Sequence, residues 1–294
     1  MSEELYEQIT YEVEDRVATV TLNRPEARNG YTRRMADEIA SALRAADGDH
    51  EVRVVVLTGA GKDFCVGADL AADAGKGQGF TQKVDDETAA QIEAGTYQEP
   101  AGVVTRVLYA MNKPVIAAVR GAAVGVGSTM LLPADYRLAA RGTKFGFPFT
   151  RRGIVPEGAS AWFLPRLVGL GKAMDWLLSG RIVPAEEALA AGLVTSLHDA
   201  DGVLDAAYEL AAELAAKTAP VSVAVTRQLL YRMAWAETPE EVHRLDSRLV
   251  FDTVRGADAQ EGVKSFFERR DPEFPGRVPE DLPGYLPWSD AGPA

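Results

Sequence analysis

Residues 6–22 read "YEQITYEVE" and then "RVATVTL", with β-branched residues at alternate positions, a spacing that predicts two short strands. "NRPEARNG" follows as turn chemistry, with Pro25 and Gly30 as breakers. Over roughly 31–47, Met35, Ile39, Leu43 and Ala46 recur on one face, predicting a helix. The pattern then changes to an unbroken apolar run, "VRVVVLTGAG", ended by glycines. Such a run fits a strand buried on both faces, as in a parallel sheet covered by helices.

The same phrase recurs at 113–127 as "KPVIAAVRGAAVGVG", again a buried strand that breaks into glycines before a helix. Both copies deliver backbone into a Gly-rich turn at the C-terminal end of a strand, where layered α/β proteins bind ligands. Residues 71–100 between them are polar, Gly-rich and weakly patterned, and read as a mobile loop with a short helix, a lid or pocket wall. From about 203 the pattern is helical. "TPEEVHRLDSRLVFDTVRG" opens with Thr238 and Glu241 at capping-box spacing. "ADAQEGVKSFFERR" forms a last helix, and 271–294 are Pro-rich and extended over the surface or a neighbouring subunit. The expected division is an α/β core over 1–200, a helical region over 201–272 and an extended tail over 273–294.

Composition narrows the function classes. The 294 residues carry 31 Lys and Arg against 43 Asp and Glu, a formal net charge of -12. A field of that sign repels nucleic acid and anionic membranes, so an anionic ligand needs a local basic cluster. One cysteine, Cys65, leaves no partner for an internal disulfide and suits a reducing cytosol. His50, His198 and His243 have no ligand spacing, so no metal is expected. The acidic N-terminus lacks the apolar core of a signal peptide, and no apolar stretch is long enough to span a membrane. A cytoplasmic protein is expected.

Familiar nucleotide and hydrolase phrasings are missing. "GAAVGVGST" fits neither G-x-G-x-x-G nor G-x-x-x-x-G-K-[ST], which disfavours a dinucleotide-dependent dehydrogenase, and "GASAW" is not a nucleophile elbow. What remains is two turns, "FCVGADL" and "AVGVGST", each passing from strand toward helix. Free backbone N–H groups at two such turns can converge as an oxyanion hole. The same glycines could instead only permit tight strand-to-helix packing. One acid, Glu157, stands in the small and apolar segment "GIVPEGASAWFLP". It is either a buried base, its proton affinity raised by Ile154, Val155, Ala159 and Trp162, or a solvated residue in the first turn of a helix after Pro156.

Six segments occur in an order that resembles the crotonase superfamily, the enoyl-CoA hydratase/isomerase family. They are "LNRPEARNG", "VVVLTGAGKDFCVGADL", "NKPVIAAVRGAAVGVGS", "PADYRLAARGTKFGFP", "GIVPEGASAWFLPRLVG" and "EGVKSFFERR", spanning about residues 8–272. The resemblance implies an α/β fold, a spiral of ββα units with a helical C-terminal region that trimerises, either as a homotrimer or as a hexameric dimer of trimers. It implies an acyl-CoA thioester as substrate, with coenzyme A entering as part of that substrate and no separate cofactor.

Carried over residue by residue, Ala68 and Val126 take the two oxyanion-hole positions. Relatives usually have glycine at the second, so Val126 is a departure that could narrow the thioester site. The two glutamates of the family's hydratases are replaced by Thr129 and Phe149, which cannot move a proton near neutral pH. "PEG" resembles the peroxisomal type of Δ3,Δ2-enoyl-CoA isomerase, in which the glutamate of this segment is the base. One carboxylate reaching both C2 and C4 suits a double-bond shift, whereas hydration suits two positioned acids. The resemblance also places Arg24, Arg28, Asp69 and Leu70 in the CoA-binding region, and Phe266 and Arg269 against the CoA of a neighbouring subunit. Asp69 is otherwise structural, Asp135 is expected to pair with an arginine or cap a turn, and Ser128, Thr129 and Ser160 could touch substrate or only pack. The rival readings are a hydratase drawing a second acid such as Asp73 or Glu93 from 71–100, and a non-catalytic acyl-CoA-binding or scaffold protein.

Overall fold

The computed structural model describes residues 6–69 and 85–288. The predicted strands form as β1 (Ile9–Glu14) and β2 (Val17–Leu22), paired antiparallel. The apolar runs become β3 (Val54–Gly59) and β4 (Val115–Val119), which with β6 (Tyr136–Ala140) and β9 (Ser196–His198) extend the sheet in parallel. The order is β1-β2-β3-β4-β6-β9.

Each central strand is buried on both faces, and alternation divides its residues between two layers. Val55 and Leu57 point into the main core with helix α1 (Arg33–Gly48) and helix α3 (Pro100–Ala110). Val54, Val56, Ile116 and Leu138 face the opposite layer, covered by Val203, Ala207, Ala211 and Ala215 of helix α8 (Val203–Lys217). The alanine stripe lets α8 approach the sheet closely. On α1, Met35, Ile39, Leu43 and Ala46 are all fully buried, and Thr32 caps the helix by accepting from Met35 N at 3.1 Å.

A second, small sheet carries the functional turns. Its strands are β5 (Ala122–Val124), β7 (Lys144–Gly146) and β8 (Ile182–Pro184). Parallel bridges Cys65↔Ala123 and Tyr31↔Ala68 continue it sideways. A large-sheet strand therefore leads repeatedly to a small-sheet strand or bridge before the chain returns to helix: β2, Tyr31, α1; β3, Cys65 and Ala68, with α2 and α3 next among the described helices; β4, β5 and the short helix α4 (Val126–Thr129). This repeat is the ββα spiral of the crotonase fold. Sequence pattern predicted a direct passage from β4 to glycines and helix; β5 intervenes because its three residues are too few to show a period.

Of the 71–100 segment residues 85–100 are described; helix α2 (Asp86–Glu93) within them buries no residue. Helices α5 (Ser160–Val168), α6 (Leu170–Ser179) and α7 (Ala185–Ala190) precede the helical region, which continues after α8 with α9 (Pro220–Met233), α10 (Pro239–Thr253) and α11 (Ala257–Glu268). Asp135 accepts from Val115 N at 2.7 Å and from Arg227 Nε of α9 at 2.8 Å, joining sheet to helices as an ion pair. The described tail folds back rather than only crossing the surface. Arg53 holds Phe274 O at 2.8 Å, and Leu286 packs against Val225 and Leu249. The expected Thr238 capping box does not form, because the Glu241 N–H donates to the main-chain carbonyl of Thr238 and leaves the hydroxyl without that donor.

Candidate active site

The two glycine turns lie against each other. Cys65 N donates to Ala122 O and Val124 N to Cys65 O, each at 3.0 Å. A Cβ on Gly125 would lie 3.7 Å from Gly67 Cα, and one on Gly67 3.1 Å from Val124 O. Gly67 and Gly125 both have positive φ, 103° and 58°, which glycine adopts without strain. Each is followed by a predicted oxyanion donor, Ala68 or Val126. The Ala68 bridge uses Gly67 O and Asp69 N, both bonded to Tyr31 at 2.9 Å, so the Ala68 N–H points to the other side. Val126 opens α4, and the N–H of a first helical residue has no intrahelical acceptor. The valine side chain, 6% exposed, packs into the main core.

Glu157 reaches this place through α4. Thr129, one turn after Val126 and fully buried, donates its Oγ1 proton to Glu157 Oε1 at 2.6 Å. Oε2 is shielded from solvent and has no hydrogen-bond partner among the described residues. A buried carboxylate oxygen without a donor disfavours the ionised form. Burial, opposed by the Thr129 bond and reinforced by the charge of Glu99, pushes Glu157 up from 4.5 to about 7.

Of the expected neighbours, Ile154 is half-buried against the main core, whereas Val155 is 80% exposed, Ala159 is exposed, and Trp162 packs on Tyr109 with the Arg166 guanidinium over its ring. Glu157 does not sit in a first helical turn: α5 starts at Ser160, after Gly158 and Ala159 in left-handed conformations with φ 59° and 53°. That turn aims the acid inward. Its Gly158 leaves room for Thr105 and Thr129, which would lie 3.3 Å from a Cβ.

Phe149, 5% exposed, belongs to the core, so no acid stands there. Ser128 is structural, donating to Ala123 O and accepting from Gly146 N. The Ser160 hydroxyl is buried without a partner among the described residues. Glu93 closes exposed α2, while Asp73 and Leu70 lie outside the described residues. The carboxylate that does approach Glu157 is Glu99, which lies in the 71–100 segment expected to offer a second acid but is neither of the two residues singled out there. It accepts from Ala101 N at 2.7 Å and from Gly158 N at 2.9 Å. An acid before proline at a helix start is an N-cap signal, but its meeting with residue 158 bridges 59 positions and has no local signature.

Arg24 is held by Asp69 at 2.9 Å and by Gly30 O, which stiffens the loop beside Ala68. Arg28 gives its Nε to Asp63 at 2.7 Å and is otherwise exposed. Phe266 and Arg269 stand exposed at the end of α11. A cavity of about 650 Å³ between α5 and α9, lined by Trp162, Arg166, Tyr231 and Trp235, does not include Glu157 or either turn. Among the described residues no cluster of His, Cys, Asp and Glu could hold a metal ion, and no helix is long and apolar enough to cross a membrane.

A ββα spiral with two facing glycine turns and an inward carboxylate defines a crotonase-fold protein. The particular family follows from comparison: residues 12–277 match the family model described as enoyl-CoA hydratase/isomerase, and the chain belongs to that family. It is 38% identical over 261 residues to an enoyl-CoA hydratase of Alternaria alternata, covering 88% of this chain and 83% of the relative. It is 34% identical to the 1,2-epoxyphenylacetyl-CoA isomerase of Escherichia coli, covering 93% of this chain and all of that one. The crystal structure of an enoyl-CoA hydratase from Bacillus anthracis superposes with a TM-score of 0.79 at 26% identity, covering 91% of this chain and 99% of that one.

Proposed function

We propose that this acyl-CoA enzyme moves the double bond of a 3-enoyl-CoA to the 2-position, with Glu157 as the only proton carrier. The observation that carries the reading is the pairing of an inward, half-buried Glu157 with Thr129 and Phe149 at the two hydratase-acid positions. The Glu157 carboxylate takes a proton from C2. The electron pair moves into the thioester carbonyl, and the resulting enolate oxygen is held by the Ala68 and Val126 N–H groups. As the carbonyl re-forms, the pair shifts along the chain and C4 takes the proton back from Glu157. A proton affinity balanced near pH 7 suits both halves of that shuttle.

Arg24 and Arg28, with Asp69 and Leu70, would line the approach of the CoA moiety. Phe266 and Arg269 would act on the CoA of a neighbouring subunit in a homotrimer or dimer of trimers. Supporting an assembly, α9 to α11 leave Leu230, Phe251, Val254, Val263, Phe266 and Phe267 largely exposed, an apolar surface costly to leave in water.

The test is a paired assay of purified protein with a 3-enoyl-CoA and with crotonyl-CoA. Conversion of the first to the conjugated 2-enoyl-CoA, abolished by Glu157→Gln, is the expected result. Water addition to crotonyl-CoA with no isomerisation would overturn the reading in favour of a hydratase. That second reading is supported by the hydratase names among the relatives.

A further inference from the structure

The oxyanion donors and the base come from segments far apart in sequence, and one side chain closes the circuit between them. Starting at Ala68, the main-chain bridge leads to Tyr31, whose hydroxyl donates to Pro100 O at 3.0 Å. Pro100 follows Glu99, whose Oε1 accepts the Gly158 N–H at 2.9 Å. Gly158 follows Glu157, which returns through Thr129 to Val126 on α4. The sequence makes room for this link at Gly102. A Cβ there would lie 2.7 Å from Glu99 Oε1, too close for the carboxylate to stay.

We propose that Glu99 is a positioning residue for Glu157: it ties the inward turn at 157–158 to the start of α3 and sets a second negative charge beside the base. The inference rests on the reading of Glu157 as the proton carrier. Both Glu99 oxygens accept main-chain N–H groups, so Glu99 holds and tunes rather than moves a proton. Its charge opposes ionisation of Glu157, as a like charge does, and adds to the effect of burial. The other titratable groups coupled to Glu157 are Tyr31 before α1 and Cys65 after β3. Burial first, then neighbouring acids including Glu157, pushes Tyr31 well above its ordinary range; burial and the Glu157 charge push Cys65 up to about 12. Both stay neutral around pH 7, which leaves Glu99 as the charge beside this carboxylate among the described residues.

Two variants separate this role from simple helix capping. Glu99→Gln removes the charge. Gly102→Ala leaves Glu99 in the chain and favours the helix, yet displaces the oxygen that holds Gly158. In protein labelled with ¹³C at glutamate Cδ, Glu157 is assigned by its loss in Glu157→Gln and titrated in the full chain. The expected result is a midpoint near 7 that moves down by about half a pH unit or more in both variants. In the paired assay kcat falls about tenfold or more with KM within about twofold, since a misplacement of about 1 Å suffices for such losses. Unchanged Glu157 titration in both variants, with only melting temperature altered, would reduce Glu99 to a helix cap and overturn the proposal. The titration does not depend on turnover. A protein inactive on 3-enoyl-CoA that still shows the coupled titration would refute the isomerase reading alone.

Discussion

Replacing Glu157 by glutamine should make the protein more stable at alkaline pH while removing the proposed proton carrier. In the folded chain this carboxyl is pushed from 4.5 to about 7, first by burial. The native state therefore binds the proton more tightly than the unfolded chain. Stability from this group is full below about 4.5, falls as pH rises toward 7, and is flat above. The gap corresponds to about 3 kcal/mol at about 1.4 kcal/mol per tenfold change in proton affinity, reduced toward about 2 kcal/mol by water reaching a half-buried group. Glutamine keeps the shape and an acceptor for the Thr129 hydroxyl but carries no charge. At pH 8 the variant should melt about 3–6 °C above the parent, and at pH 4.5 the two should coincide within about 1 °C. Differential scanning calorimetry across pH 4–9 makes the comparison. An equal offset at both ends of the range, or a variant less stable at pH 8, would refute the claim that the fold strains this carboxylate.

Thr129→Val removes the hydroxyl that favours the ionised form of Glu157, so the acidic limb of the pH–rate profile should move to higher pH, lowering turnover at pH 7 by about tenfold or less. Arg227→Met strips a buried partner from Asp135 and leaves the Leu108 carbonyl without its donor, while Met111 O keeps the Gln228 amide; a loss of about 3–5 kcal/mol, read as a fall of about 10 °C in melting temperature, is expected. Thr238→Ala should leave urea unfolding within about 0.5 kcal/mol of the parent, because the hydroxyl caps nothing. A loss of about 1 kcal/mol or more there would show a working cap.

Much of the frame could be read from the sequence because its cause is local. "VVVLTG" and "VIAAV" are apolar on every residue, and a strand of that kind is satisfied only inside a sheet covered on both faces. The face carrying Met35, Ile39 and Leu43 points to one core, as its helical period requires. Glycines after each strand mark turns that a side chain would block, and an acid isolated among small residues marks a place where charge is held against its tendency to hydrate.

Contacts across long stretches of chain were decided by the tertiary structure. Apolar company in sequence did not decide the acid's surroundings: Val155, two residues before it, is 80% exposed, and the left-handed turn at Gly158 and Ala159 separates Glu157 from α5. Its surroundings come instead from Thr129 on α4 and Glu99 at the head of α3, which the parallel sheet brings to the same end. The sequence by itself determined which segments must be strands, helices and tight turns, and that one carboxylate would sit in apolar company. The fold alone decided which hydroxyl steadies that carboxylate and which second acid stands beside it. Local structure follows from steric and hydrophobic preferences a few residues long, whereas a proton's affinity follows from every group brought within a few ångströms, however distant along the chain.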